Sequence, residues 1–125
     1  MTMDATLAEK RCEPCTSGTP PLKGEALGRL LERLGGGWSA VGEHHLEKTF
    51  RFRNFRDALA FVNRIGETAE EQGHHPDLAL AWGKVTVALR THKIEGLSEN
   101  DFVLAARIDR LPGATPPPPA PRPGA

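Results

Sequence analysis

The sequence has no net charge to work with: 16 Lys and Arg offset 16 Asp and Glu before any of the five His protonates. A protein that grips nucleic acid electrostatically needs clustered positive charge, so the balance argues against a nucleic-acid partner. Long apolar runs are missing too. None exceeds five residues, as in Leu78 to Trp82, against the roughly 20 of a membrane-spanning helix, and no membrane contact is expected. Met1 to Arg11 lacks the apolar centre of a secretory signal, interrupted as it is by Asp4, Glu9, Lys10 and Arg11. Cytoplasm is the expected compartment. Cysteine is scarce: Cys12 and Cys15 form a lone Cys-x-x-Cys, flanked by Pro14 and the Thr16 to Pro21 stretch. Zinc usually takes four Cys or His ligands, and the nearest His is His44. A redox pair belongs at the start of a helix after a strand. An adventitious thiol pair is the plainer reading, with metal and redox roles as alternatives.

What is present describes one soluble domain. Hydrophobic residues make up 38% and charged residues 26%, too apolar for a wholly disordered chain. Seven of the 11 prolines fall between Pro112 and Ala125, a composition that favours extended polyproline II and offers no side chains for a core. The expected organisation is therefore a flexible leader over 1–21, a folded unit over 22–111 and a disordered Pro-rich tail over 112–125.

Within the folded unit, Leu27, Leu30, Leu31 and Leu34 recur at helical spacing before the stop Gly35-Gly36-Gly37, which predicts a helix from about Lys23 to Leu34. A short strand from Trp38 to Val41, a turn at Gly42-Glu43 and a second strand from His45 to Arg53 follow. In the second strand Leu46, Phe50 and Phe52 share one face and Glu47, Thr49, Arg51 and Arg53 the other. Asn54 caps a second helix with Phe55, Ala58, Leu59, Val62, Ile65 and Ala69 as its apolar stripe and Gly73 past its end. After Pro76, Leu78, Leu80 and Trp82 alternate with Ala79 and Ala81, and Gly83 turns the chain into a strand from Lys84 to His92. Its parity puts Val85, Val87 and Leu89 inside and His92 on the polar face. Ser98-x-x-Asp101 has capping-box spacing and opens a third helix to about Arg110. The order α-β-β-α-β-β-α predicts an α+β fold: a four-stranded antiparallel sheet with three helices packed on one face, the other left open.

The densest unusual cluster is Glu70-Glu71-Gln72-Gly73-His74-His75-Pro76-Asp77. It reads either as a polar loop with exposed imidazoles or, if His92 joins it, as an acid–base site, because histidine titrates near neutrality. Consecutive side chains diverge and chelate one ion poorly, so no metal is assigned. His44-His45 reads as exposed turn residues.

Glu70-x3-His74-His75-Pro76-x5-Trp82-x9-His92-x8-Asp101 resembles the signature of the pterin-4a-carbinolamine dehydratases. Gly37-Trp38, Phe50-x-Phe52, Thr91-His92 and Gly96-Leu97-Ser98 agree with it, and Cys12-x-x-Cys15 with Pro20-Pro21-Leu22 resembles leaders of bacterial members. Trp82 stands where many members have Tyr. The resemblance implies the fold just described, assembled as a homodimer or homotetramer, and dehydration of a 4a-hydroxytetrahydropterin to the quinonoid dihydropterin without metal or organic cofactor. It also implies a functional link to aromatic amino acid hydroxylases such as phenylalanine hydroxylase. Hydroxide leaves poorly at neutral pH, so one imidazole must protonate it while another accepts a ring N–H proton. His74 and His92 are assigned to that pair, and His75 orients the pterin or shares the proton transfer. Glu70 either orients an imidazole or is an exposed helix acid; Asp101 either caps the third helix or meets the substrate. Trp38 and Trp82 line the pocket or fill the core. Animal relatives also serve as dimerisation cofactors of a homeodomain transcription factor, so a protein-interaction module and a non-catalytic pterin-binding module are the alternatives.

Overall fold

In the computed structural model, which describes residues 7–13 and 18–114, the leucines of the first amphipathic run form one face of helix α1, Gly24–Leu34, with Leu27, Leu30 and Leu34 buried. Lys23 at its N-cap supplies no side-chain bond. Instead the Gly24 N–H donates to Glu43 Oε2 at 2.9 Å, so a turn distant in sequence satisfies one of the helix's orphan donors. Gly35 closes the helix at φ 59°, and its N–H reaches the Leu31 carbonyl.

Strands β1 (Ser39–Val41) and β2 (His45–Arg51) form a hairpin around Gly42 and Glu43. Both turn residues have positive φ, at 58° and 56°, the handedness that matches strand twist in tight hairpins. Asn54 caps α2 (Phe55–Gln72), its side chain accepting from the Asp57 N–H at 2.8 Å, and Gly73 ends it in the left-handed conformation. Strands β3 (Asp77–Ala81) and β4 (Lys84–Leu89) form the second hairpin, and helix α3 spans Glu99–Asp109. All pairings are antiparallel in the order β1-β2-β4-β3, with Leu46 opposite Leu89 and Phe50 opposite Val85. This is the expected α+β sheet with helices on one face.

The inward face carries Leu46, Phe50, Val85, Val87 and Leu89, all buried, while Glu47, Thr49, Arg51 and Lys84 lie exposed on the other. Helix α3 is buried on nearly every side, from Asp101 through Ala106 and again at Ile108. Strand parity also puts Lys48 on the inward face. Its Nζ donates to Asp109 Oδ1 at 2.8 Å and sits 4.5 Å from the centre of the Phe50 ring. Trp38 Nε1 donates to Asp109 Oδ2 at 2.9 Å.

Several boundaries differ from expectation. The inward stripe of α2 is Ala58, Phe61, Ile65 and Ala69, with Val62 half-buried, whereas Phe55 and Leu59 are 45% and 41% exposed. The helix is apolar over a wider arc than one face, and Phe61 wins the interior by stacking 4.8 Å from Phe50 and 5.1 Å from Phe52. Strand β4 stops at Leu89 rather than His92; Thr91 forms an isolated bridge with Gly96, and His92–Ile94 is a 3₁₀ turn. Of the segment expected to be a flexible leader, Leu7 and Ala8 lie in the core. At the other end Arg64 bonds the Pro112 carbonyl and Ala114 is buried. Residues 1–6, 14–17 and 115–125, including Cys15 and most of the proline segment, lie outside the described residues.

Gly36 has φ 69°, and a Cβ there would stand 2.6 Å from Asp109 Oδ2, an oxygen already held by Trp38. Gly42 has φ 58° with open space around it. In urea unfolding, Gly42→Ala should therefore cost about 1 kcal/mol and Gly36→Ala about 2–4 kcal/mol. Equal losses would show that Asp109 yields freely.

Candidate active site

The site begins where α2 stops. Gly73, at φ 65°, reverses the chain, and the His74 N–H bonds the Ala69 carbonyl at 3.2 Å. The two imidazoles that follow diverge. His74 turns inward, its side chain 12% exposed, and His75 outward at 59%.

His74 Nε2 lies 2.6 Å from Oδ1 of Asp101, which is fully buried at the start of α3. The other carboxylate oxygen accepts from Thr91 Oγ1 at 2.8 Å and from the Ser98 N–H at 3.0 Å. Because Thr91 gives its one hydroxyl proton to Asp101, it accepts from Ser98 Oγ, 2.7 Å away. An ionised Asp101 only accepts, so the proton of the His74 contact sits on Nε2, and whenever the ring is neutral its lone pair is on Nδ1. Asp101 is thus both the cap foreseen for α3, through Ser98, and the group that orients His74.

His92 follows Thr91 directly and is exposed on its 3₁₀ turn. Although no strand carries it, it lines the same cleft of about 460 Å³ as His74, His75, Thr91 and Lys93. That volume suits a small ligand. His75 Nε2 pairs with Glu70 Oε2 at 2.5 Å on the exposed side. Glu70 therefore acts on His75 and does not itself line the cleft.

Neither tryptophan reaches this group. Trp38 is buried edge-on to Phe50, its ring centre 6.0 Å away. Trp82 is 69% exposed in the β3–β4 turn, beside Arg51, Phe52 and Lys84. Strand β3 runs Asp77–Ala81, so it carries the chain roughly 16 Å from the histidines before Trp82 appears. His44 and His45 lie at the other hairpin in a line of polar contacts: Arg90 Nη1 to His44 Nε2 at 3.5 Å, His44 Nδ1 to His45 Nδ1 at 3.1 Å, and His45 Nε2 to Glu47 Oε1 at 3.4 Å.

Residues not assigned to the site from sequence complete the cleft: Cys12, Glu13, Gln72, Lys93 and Asn100. No local pattern ties the leader residues to the site, whereas Thr91 and Asn100 are each sequence neighbours of a foreseen site residue. Cys12 is half-buried, with Sγ 3.6 Å from the Asn100 carbonyl. Burial pushes its thiol up to about 11, against the opposing pull of the Arg107 cation, the reverse of what an activated redox thiol needs. Among the described residues, no three His, Cys, Asp or Glu converge as metal ligands, and no helix is long and apolar enough to cross a membrane.

Residues 20–111 match the model of the family described as pterin 4 alpha carbinolamine dehydratase. A Rubrobacter xylanophilus protein provisionally named a pterin-4-alpha-carbinolamine dehydratase is 62% identical over 105 residues, covering 84% of this chain and 97% of that one. Among solved structures, a transcriptional coactivator/pterin dehydratase from Brucella melitensis is similar with TM-score 0.66 at 29% identity, over 71% of this chain and 95% of its own. A pterin dehydratase-like protein identified as a RuBisCO assembly factor in the alpha-carboxysome gives 0.52 at 28% identity, over 58% and 86%.

Asp101→Ala would strand the Ser98 N–H and the Thr91 hydroxyl, both buried, and should destabilise the fold by about 2–4 kcal/mol. Denaturant unfolding checks this; a loss under about 1 kcal/mol would mean that water reaches the cavity. For Cys12, iodoacetamide alkylation of a Cys15→Ser protein should keep accelerating as pH rises toward about 11 instead of levelling near 9.0.

Proposed function

The chain belongs to the pterin-4a-carbinolamine dehydratase family, and we propose that it dehydrates a 4a-hydroxytetrahydropterin to the quinonoid dihydropterin at the cleft formed by His74, His75 and His92. The observation that carries this reading is the buried Asp101 carboxylate 2.6 Å from His74 Nε2, which holds a cleft-lining imidazole by one ring nitrogen and leaves Nδ1 for proton transfer.

The reaction breaks one C–O bond. The hydroxyl departs with the bonding pair, takes a proton and leaves as water, while the adjacent ring nitrogen loses its proton and forms the C=N bond. Proton gain and loss balance within the site. His74 is the base: Asp101 fixes its tautomer and stabilises the imidazolium that forms. His92 is the acid, exposed enough to recover its proton from solvent. His75, braced by Glu70, positions the bicyclic ring. Trp38 and Trp82 have no part in this scheme.

Substrate of this kind is formed where aromatic amino acid hydroxylases, such as phenylalanine hydroxylase, consume tetrahydropterin, and recycling for such an enzyme is the proposed role. The exposed Phe55 and Leu59 on α2 support self-association as a dimer or tetramer. A non-catalytic interaction module is the second reading, favoured by the likeness to the carboxysome assembly factor.

Stopped-flow ultraviolet kinetics with chemically generated 4a-hydroxytetrahydropterin separate the two. His74→Ala and His92→Ala should each lower kcat by roughly 10²-fold or more with native circular dichroism. The double variant should lose less than the product of the single losses, because both groups act in one step. His44→Ala should match the parent. Undiminished turnover in either single variant would remove the acid–base assignment, and absence of turnover in the parent would favour the interaction module.

A further inference from the structure

The cleft has a wall that the histidines do not supply. Cys12 and Glu13 line it, although neither lies in a helix or strand. Three of their four backbone polar groups are met by two side-chain amides. The Cys12 N–H donates to Gln72 Oε1 at 2.9 Å. The Glu13 N–H donates to Asn100 Oδ1 at 2.8 Å, and its carbonyl accepts from Asn100 Nδ2 at 2.6 Å. Asn100 thus pairs with Glu13 on both sides, as a neighbouring strand would.

The place of these amides matters. Gln72 is the last residue of α2, separated from His74 by Gly73 alone, and Asn100 adjoins Asp101. The wall is therefore fastened at the two points from which His74 is oriented. Its upstream end is held as well, by Arg107 Nε on the Lys10 carbonyl at 2.9 Å, by the Lys10–Glu99 ion pair at 3.1 Å and by the buried Leu7. Among the described residues lining the cleft, Glu13 alone has a carboxylate. A pterin presents two adjacent N–H donors on its aminopyrimidinone edge, the arrangement a carboxylate accepts in bidentate fashion.

We propose that residues 12–13 form the substrate-recognition wall of the cleft, with Glu13 accepting from the aminopyrimidinone edge of the pterin and Gln72 and Asn100 acting as positioning residues that hold the wall in place. The proposal rests on the pterin reading of the site, but it concerns binding and not bond breaking. Its signature is an effect on affinity and KM with kcat little changed.

The test uses full-length Cys15→Ser protein and oxidised biopterin as a ligand that cannot react. Biopterin should slow iodoacetamide alkylation of Cys12, and the concentration dependence of protection gives its Kd without any turnover. Glu13→Gln, and separately Gln72→Ala with Asn100→Ala, should raise that Kd and the KM by about 10-fold, the scale of one lost charge-assisted contact. kcat should change less than about 3-fold. The amide double variant should also alkylate faster without ligand. Cys12 alkylation indifferent to saturating biopterin, or parental Kd in both Glu13→Gln and the amide double variant, would overturn the proposal. A parent that binds biopterin yet dehydrates nothing would overturn the catalytic reading and leave this one standing.

Discussion

A carboxylate with no solvent exposure persists only where its oxygens are occupied, and Asp101 meets that condition by gathering Thr91, Ser98 and His74 around itself. The three partners come from separate places: the end of the second hairpin, the approach to α3 and the exit from α2. One acceptor therefore caps a helix, fastens a loop and orients an imidazole. The carboxylate that caps the helix is the same one that orients the histidine, so the site and the fold share a single electrostatic requirement.

The same helix is fixed at its other end. Asp109 receives Lys48 from the sheet and Trp38 from the loop after α1. The two carboxylates stand about 12 Å apart along α3. Between them the helix is apolar almost all round, and apolar contact is non-directional. Directional bonds at both ends decide the rotation and axial position that packing alone leaves loosely specified. The sheet beneath contributes strand parity, and its second hairpin delivers the chain to Thr91 at the edge of the cleft.

Much of this was legible in the residues, and the exceptions share causes. Parity in β2 and β4 identified the buried face because alternate residues differ sharply in polarity, as Leu46 and Phe50 do from Glu47 and Thr49. Asn54, Gly73 and the Ser98–Asp101 spacing marked helix ends because capping is local chemistry. The α2 stripe was misjudged because Phe55, Leu59 and Phe61 are all apolar, and only the partner rings at Phe50 and Phe52 choose among them. His92 was carried too far along its strand because nothing in Arg90-Thr91 announces the bridge to Gly96. Trp38 and Trp82 each read as lining the pocket or filling the core, and a signature, which records spacing and no direction, does not choose; Trp38 fills the core. The place of Cys12 and Glu13 in the cleft was illegible for a different reason. Cys12 meets Gln72 across 60 positions and Glu13 meets Asn100 across 87, distances at which no periodicity survives.

The unlike surroundings of the two tryptophans have a spectroscopic consequence. The chain contains no tyrosine, so Trp38 and Trp82 account for nearly all of its near-ultraviolet emission. Trp38 is sealed against Phe50 and Lys48 with its indole N–H committed to Asp109, whereas Trp82 stands in water at the tip of the second hairpin. Iodide should reach the second and not the first. Quenching thus divides the fluorescence into an interior signal that follows unfolding and a surface signal that follows whatever settles on the hairpin tip, with no label added to the protein.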